Sequence, residues 1–212
     1  LLDWLVLSVE RPSVPLRHFC ATVTVGIVVQ PSQWYADEGV PALRGTNVKP
    51  ERLDLTDLVY LSREGHEAHA KSALRTGDVV VVRTGQSGAA SVVPEALDGS
   101  NAIDLLLVRP NPILRGDYLA MVLNAPVTRE LSSQQVVGTI QGHLNVSALR
   151  ALPIRVPALD EQDRLIRQWR SRASKIDALI AKAERFIELS KERRAALITA
   201  AVTGQIDVQA SA

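Results

Sequence analysis

The apolar and small residues between positions 160 and 204 recur in steps that alternate between three and four. One charged residue, Arg194, interrupts the series, and no proline or glycine breaks it before Gly204. This heptad spacing is typical of a helix that pairs with another helix. At 1.5 Å per residue, a helix over this segment would be roughly 65 Å long. The positions of this seam are Ile166, Trp169, Ala173, Ile176, Ile180, Ala183, Ile187, Ser190, Leu197 and Ala201.

Capping signals predict where this helix begins and ends. Asp160 is placed to cap the amino end, and Gly204 is placed to stop the carboxyl end. A second stripe beside the seam, at Leu165, Leu179, Phe186 and Ala200, widens the apolar face, so more than one helix is expected to dock. The alternative, a helix packed along its own domain, is disfavoured because globular helices seldom exceed about 25 residues.

The preceding residues have a different pattern, in which short β-rich runs are separated by Gly, Pro, Asn and Asp. The predicted strands are 23–29, 58–61, 78–83, 91–93, 103–108 and 152–156, and the predicted helices are 117–124 and 127–137, with a turn at 147–150 capped by Ser147. We therefore predict an α+β protein with two domains. A mixed, strand-rich globular domain spans residues 1–157, and a long coiled-coil-type helix with a tail spans residues 158–212.

Composition limits the compartment and the kind of partner. A single cysteine, Cys20, excludes an internal disulfide and fits a reducing compartment. The formal net charge of +1 means that any nucleic-acid site must be a local basic patch. Residues 1–9 are apolar but too short for a membrane span and lack the basic start of a signal peptide. Because the first residue is Leu, we expect a fragment or a processed product.

Catalytic motifs are not evident in the sequence. No glycine-rich cofactor loop, methyltransferase tetrad, P-loop or nuclease pattern is present. His66 and His69 have H-E-x-H spacing, one residue short of the zinc-protease motif, so a solvated polar loop is predicted there and no metal site. Cys20 precedes a valine-rich strand and is expected in the core. The sequence predicts a protein without an active site, cofactor or metal of its own.

Several phrases together resemble the DNA-specificity subunit of type I restriction–modification systems. They are P-A-L-R-G-T-N-V from residue 41, L-R-T-G-D-V-V-V-V-R-T-G from 74, G-S-N from 99, L-R-A-L-P-I-R-V-P from 149, L-D-E-Q from 159, K-E-R-R-A-A-L-I from 191 and A-V-T-G-Q-I-D-V from 201. The resemblance covers nearly the whole chain and is most specific at the start and end of the long helix.

This resemblance implies a target-recognition domain followed by a spacer helix. Such a subunit would read one half of a bipartite site in double-stranded DNA and scaffold the modification (methyltransferase) subunits, which bind S-adenosylmethionine. A motor-nuclease restriction subunit would join for cleavage. The chain has one such unit, so its helix is expected to pair with a second copy or with a missing half. The implied location is the cytoplasm of a bacterium or archaeon.

Polar residues in predicted loops are the candidate DNA contacts, because Arg pairs with guanine or phosphate and Asn or Gln with adenine. The candidates are Arg44, Asn47, Lys49, Arg63, Arg83, Gln86, Ser87, Asn101, Gln134, Gln135, Gln141 and His143. Two other functions stay open at this point. One is a coiled-coil adaptor whose globular domain binds protein, and the other is an enzyme whose site is assembled from residues distant in sequence.

Overall fold

The computed structural model describes residues 2–134 and 143–205. It divides the chain into two compact units, Leu1–Arg167 and Gln168–Ala212, called here the first and second units. The α-helices in the described residues are α1 (Leu2–Leu7), α2 (Arg63–Ala68), α3 (Gly116–Asn124), α4 (Pro126–Gln134), α5 (Val146–Ala151) and α6 (Leu159–Val202).

Short strands dominate the first unit. The strands are β1 (Val14–Pro15), β2 (Cys20–Val25), β3 (Tyr35–Ala36), β4 (Val40–Leu43), β5 (Val48–Lys49), β6 (Arg52–Leu53), β7 (Val59–Leu61), β8 (Val79–Val82), β9 (Ala90–Val92), β10 (Asn101–Ala102), β11 (Leu105–Pro110) and β12 (Pro153–Ile154). Two four-stranded sheets have the orders β2-β11-β8-β9 and β10-β4-β7-β3. The pairs β1-β12 and β5-β6 form two small ribbons.

The sheet β2-β11-β8-β9 is antiparallel throughout and forms the centre of the first unit. All four valines of β8 are buried, as expected of a continuous apolar run without polar alternation. Helix α3 packs against β8 and β9, and seven of its nine residues are buried. The strand-rich α+β class predicted from the sequence is confirmed, and so is the long helix at its end.

Helices α1 and α2 were not predicted. Helix α1 buries Leu5 and packs on α3 and α4, and its Asp3 carboxylate accepts a hydrogen bond from the Val127 amide at 2.9 Å. Ser62 caps α2 by accepting from the Gly65 amide at 3.1 Å. The polar loop predicted around His66 is therefore a capped helix, because the Ser62 cap supplies a helix start that the apolar periodicity did not indicate.

The ends of α6 confirm one predicted signal and correct another. Asp160 lies inside the first turn, because the helix already begins at Leu159 and the Gln162 amide donates to the Ala158 carbonyl at 3.0 Å. Gly204 has φ +73° and ends the helix as predicted. The Gly204 and Gln205 amides donate to Ala201 and Ala200 at 3.2 and 2.8 Å, which is the Schellman arrangement. In α5 the cap is Asn145, two residues before the predicted cap Ser147, and its side chain accepts from the Ala148 amide at 2.8 Å.

The expected partner interface needs one correction. Ile166 is 8% exposed and is buried with Leu165 inside the first unit, so it does not lie on an exposed seam. Within the second unit, the remaining large aliphatic residues of the seam are about half exposed, namely Ile176, Ile180, Ile187 and Leu197. Trp169, Ala173 and Ala201 are half-buried, and Ala183 is exposed. Among the described residues, no helix is both long and apolar enough to cross a membrane.

Candidate nucleic-acid interface

The loop between β8 and β9 presents several polar side chains on a tightly folded backbone. Gly85 and Gly88 have φ +80° and +85°, the left-handed region that glycine adopts without strain. The Gly88 amide donates to the Val82 carbonyl at 2.9 Å, and the Ala89 amide donates to the Gln86 carbonyl at 3.0 Å. These bonds fold the loop back on the strand ends and leave Gln86 exposed.

Two distant parts of the chain meet this loop. The Thr84 hydroxyl lies 2.8 Å from Nδ1 of His143, and the Leu144 amide donates to the Arg83 carbonyl at 3.1 Å. Arg129 of α4 reaches the Ser87 carbonyl at 3.5 Å, the long limit of a hydrogen bond. The structure thus brings together four predicted candidates, namely Arg83, Gln86, Ser87 and His143. With Thr84 and Arg129 they form what we call the loop cluster.

Sequence reasoning missed Arg129. It lies on a predicted helix, where a lone arginine is indistinguishable from an ordinary solvated side chain, and only the packing of α4 brings it to the loop. Thr84, which precedes Gly85, was not among the predicted contacts either.

Arg83 is held from its other side by Asp104. Its Nη1 donates to the Asp104 carboxylate at 2.5 Å, and its Nε is buried without a hydrogen-bond partner among the described residues. Arg83 comes directly after Val82, and Asp104 comes directly before Leu105. Val82 and Leu105 are the last paired residues of β8 and β11 at this end of the sheet. The Arg83–Asp104 pair is therefore a cross-strand ion pair at the sheet end that carries the loop cluster.

Asn47 has a structural position, which corrects its expected place among the exposed candidates. It is 2% exposed, and its amide nitrogen donates to the carbonyls of Asp54 and Asp57, both at 3.0 Å. Its Oδ1 accepts from the Arg44 amide at 2.9 Å. Arg44 is half-buried, and its Nη2 donates to the Asp57 carboxylate at 2.7 Å and to the Asp57 carbonyl at 3.1 Å. Both side chains fasten the 54–57 loop.

Asn101 needs the same correction, because it is fully buried. Its Oδ1 accepts from Nδ1 of His66 at 2.7 Å, and its Nδ2 donates to the Ser72 hydroxyl at 2.7 Å. His69 donates from Nδ1 to the Gly65 carbonyl at 2.9 Å. The two histidines thus belong to a satisfied polar network, and no group of three metal-ligating side chains occurs in the described part of the chain.

The remaining candidates lie elsewhere. Lys49 is half-buried on β5, and Arg63 is exposed on α2, where it pairs with Glu67 at 3.1 Å. Gln134 ends α4. Gln135 and Gln141 lie outside the described residues.

The most characteristic motif of the middle of the chain, R-T-G-D from residue 75, is a structural turn. The buried Asp78 carboxylate accepts from Nε and Nη2 of Arg109 at 2.8 and 2.6 Å and from the Arg75 amide at 2.8 Å. The hydrogen bonding of Arg109 to the Asp78 carboxylate raises the pKa of Arg109. Gly77, at φ +85°, allows the turn. This motif builds the start of β8 rather than a reading surface.

The helix-start motif L-D-E-Q is also explained by a buried side chain. Gln162 is fully buried, and its Oε1 accepts from the Arg115 amide at 2.8 Å. Its Nε2 donates to the carbonyls of Ile113 and Pro157 at 2.9 and 2.8 Å. One amide side chain thus joins the first turn of α6 to the segment before α3 and to the residues that precede the helix.

Cys20 has the environment of a structural thiol. Burial raises its pKa to about 12, against the opposing charge of Arg150. Because the thiolate is the nucleophilic form, a thiol with so high a pKa is inert near neutral pH.

Tyr118 is buried as well. Burial, together with the charge of Glu161, raises the pKa of Tyr118. Its hydroxyl donates to the Arg155 carbonyl at 2.8 Å.

No family model matches the chain. Among curated proteins, it is 22% identical over 183 residues to the type I restriction enzyme StySPI specificity subunit of Salmonella potsdam, covering 84% of this chain and 39% of that protein. It is 21% identical to the EcoKI specificity subunit of Escherichia coli K12, again over 84% of this chain and 39% of the relative. The chain therefore spans about two fifths of the length of these curated relatives.

Solved structures share the fold. A chain of a type I restriction–modification system, solved to describe its complex assembly and conformational transition, has a TM-score of 0.70 and 23% identity, covering 89% of this chain and 45% of that one. The HsdS subunit of Thermoanaerobacter tengcongensis has a TM-score of 0.60 and 18% identity, covering 84% and 46%. The resemblance stated from the sequence is confirmed, and the chain is a homologue of the specificity subunits of type I restriction enzymes.

Proposed function

We propose that this chain is one recognition unit of a type I restriction–modification specificity subunit, and that its first unit reads one half of a bipartite site in double-stranded DNA. The observation that carries this proposal is the similarity to specificity subunits along 84% of the chain. The loop cluster is the part of the first unit whose chemistry fits the task best.

The loop cluster combines the groups that DNA recognition requires. Arg83 and Arg129 supply guanidinium groups, and Thr84, Gln86 and His143 supply hydroxyl, amide and imidazole groups, all around one hairpin loop. Guanidinium groups bind phosphate or guanine, and amide and hydroxyl groups bind base edges. Gly85 and Gly88 lack side chains that would keep the backbone away from a duplex.

Helix α6 would provide the assembly surface. Its exposed Ile176, Ile180, Ile187 and Leu197 form an apolar stripe that is unfavourable in water and that another helix would cover. We infer that the helix covering this stripe is a second copy of α6, or the corresponding helix of a missing half. Modification subunits would dock on the pair of helices. The restriction subunit would join the resulting complex.

In this assembly the chain performs no catalysis of its own. S-adenosylmethionine would be bound by the partner modification subunits, and the location would be the cytoplasm of the host cell. We expect Cys20, His66 and Asn101 to take no part in a reaction. The pKa of Cys20 is raised by burial, and His66 is hydrogen-bonded to Asn101.

The test is binding of the full chain to duplex DNA selected from a random pool, measured at several salt concentrations. Each phosphate contact contributes roughly 0.9 to the slope of log K against log salt. Arg129→Gln should lower that slope by about 1 on every sequence. Lys182→Gln is the matched control, because it removes one positive charge from an exposed residue of α6. It should leave the slope unchanged. Absence of any preferred sequence, or salt-independent binding, would contradict the proposal.

A further inference from the structure

The Arg83–Asp104 pair is fixed more firmly than an ordinary surface ion pair. Asp104 has φ +50°, an uncommon backbone conformation for a residue other than glycine, and its amide donates to the Ile27 carbonyl at 2.9 Å. Ile27 in turn forms a bridge with Ile103. The carboxylate that binds Arg83 is therefore positioned by β11 and by the segment that follows β2.

The guanidinium group of Arg83 has donors that no described residue accepts from. Of its five N–H groups, one on Nη1 binds Asp104, and the buried Nε has no partner among the described residues. The other N–H of Nη1 and both N–H groups of Nη2 donate to none of the described residues, so these three groups remain for a ligand. The Arg83 side chain is 20% exposed and is followed by the exposed Thr84, so a ligand can reach only a small part of it.

The charge of the pair distinguishes between a phosphate and a base as that ligand. Asp104 is half exposed, so its negative charge repels a phosphate that approaches Arg83. A base edge is neutral and is not repelled. Guanine presents two acceptors, O6 and N7, side by side in the major groove, which a guanidinium group can bind together. Arg129, whose contact to the loop is with a neutral carbonyl, keeps its charge and is better suited to a phosphate.

We propose that Arg83 reads a guanine in the major groove and that Asp104 is the positioning residue that holds it for this contact. The inference rests on the proposed function and adds to it that the recognised half-site contains a guanine read at N7 and O6. The competing explanation is a cross-strand ion pair that only stabilises the end of the sheet.

The experiment uses the full chain and the duplex that it prefers, with each guanine replaced in turn by 7-deazaguanine, which lacks N7. One replacement should weaken binding of the unaltered chain, by less than the roughly 150-fold upper limit for a whole bidentate contact, because O6 can still accept. Arg83→Met should make binding insensitive to that replacement, because methionine keeps an unbranched side chain of similar length but has no N–H group to donate to N7.

Asp104→Asn separates the two explanations by the sign of its effects. Removing a carboxylate near the duplex should tighten binding to unrelated DNA, while discrimination at the same guanine should fall several-fold because Arg83 is less firmly held. Glu188→Gln removes the carboxylate of another exposed ion pair, with Lys191 at 2.8 Å, and should change neither quantity. A purely structural pair would lower binding to all sequences together and would leave the guanine discrimination intact.

Failure of this inference is distinct from failure of the proposed function. If the chain selects no sequence at all, the proposed function fails. If it selects a sequence whose guanines can all be replaced without loss, or if the sensitive guanine stays sensitive in Arg83→Met, DNA recognition stands and the role given to Arg83 and Asp104 is wrong.

Discussion

Gln162 offers a quantitative test of how α6 is joined to the rest of the first unit. The change Gln162→Ala removes one acceptor and two donor contacts, to the Arg115 amide and to the carbonyls of Ile113 and Pro157. Each lost hydrogen bond costs about 1 kcal/mol net, and the buried groups left without partners raise that cost. We expect a loss of about 3–5 kcal/mol in the free energy of unfolding, a large part of the roughly 5–15 kcal/mol typical of a domain.

Urea unfolding, followed by circular dichroism and fluorescence, measures this loss. The protein concentration must be held constant, because association through α6 would add stability that depends on concentration. Gln33→Ala is the matched control, since it makes the same chemical change at an exposed glutamine and should stay within about 0.5 kcal/mol. A loss below about 1 kcal/mol for Gln162→Ala would refute the proposed role of Gln162 in joining these segments. The loss of even one of its three hydrogen bonds should cost that much.

Gln162→Glu adds a pH-dependent version of the same test. A carboxylate can still accept from the Arg115 amide, but it cannot donate to the two carbonyls, and its charge would be fully buried. Burial raises the pKa of such a carboxyl in the folded state, so the folded protein binds the proton more tightly than the unfolded chain does. The deficit in stability relative to the unaltered protein should therefore shrink as the pH falls from 7 towards 4. A deficit that did not change with pH would mean that the side chain is solvated.

Further predictions concern association, spacing and thiol chemistry. Ile176→Asp together with Ile180→Asp should give a monomer with an intact first unit, because charges replace half-exposed apolar side chains; light scattering would detect a surviving dimer, which would contradict the paired-helix proposal. Inserting four residues, about one turn, after Ala181 should lengthen the spacer between half-sites without changing the half-sites, and sequencing of selected duplexes would detect an unchanged spacer. Cys20 should react with a thiol reagent far more slowly in the native protein than after denaturation, since burial holds its pKa near 12; rapid native labelling at pH 8 would contradict its structural role.

The features predicted correctly are those encoded locally in the sequence. The four buried valines of β8 form a continuous apolar run, and the heptad steps extend along most of α6, so neighbouring residues suffice to predict a strand and a helix. Gly204 ends α6 at a positive φ, which glycine adopts without strain, so the residue type alone suffices to predict this helix end. These elements needed no knowledge of tertiary packing.

The candidate site depended on packing and was predicted only in part. Asn47 and Asn101 lie next to glycine or turn residues, as exposed recognition residues do, yet their amides satisfy buried backbone and side-chain groups. An asparagine in a loop can serve either role, and only the tertiary neighbours decide between them. Arg129 and Asp104 could not be predicted for the same reason. They contact Ser87 and Arg83 only in the folded structure, although they are distant from them in sequence.

We propose above all that the first unit reads the DNA sequence, and exchanging the part of that unit that precedes α6 tests this most directly. Residues 2–157 should be exchanged as a block for the corresponding residues of a relative, because β2 pairs with β11 and β1 pairs with β12, so a smaller exchange would mix sheet partners. The preferred duplexes of both parents and of the chimera are then identified by selection from a random pool. We predict that the chimera selects the half-site of the relative that donated residues 2–157. A chimera that kept the half-site of the protein that supplies α6 would contradict it.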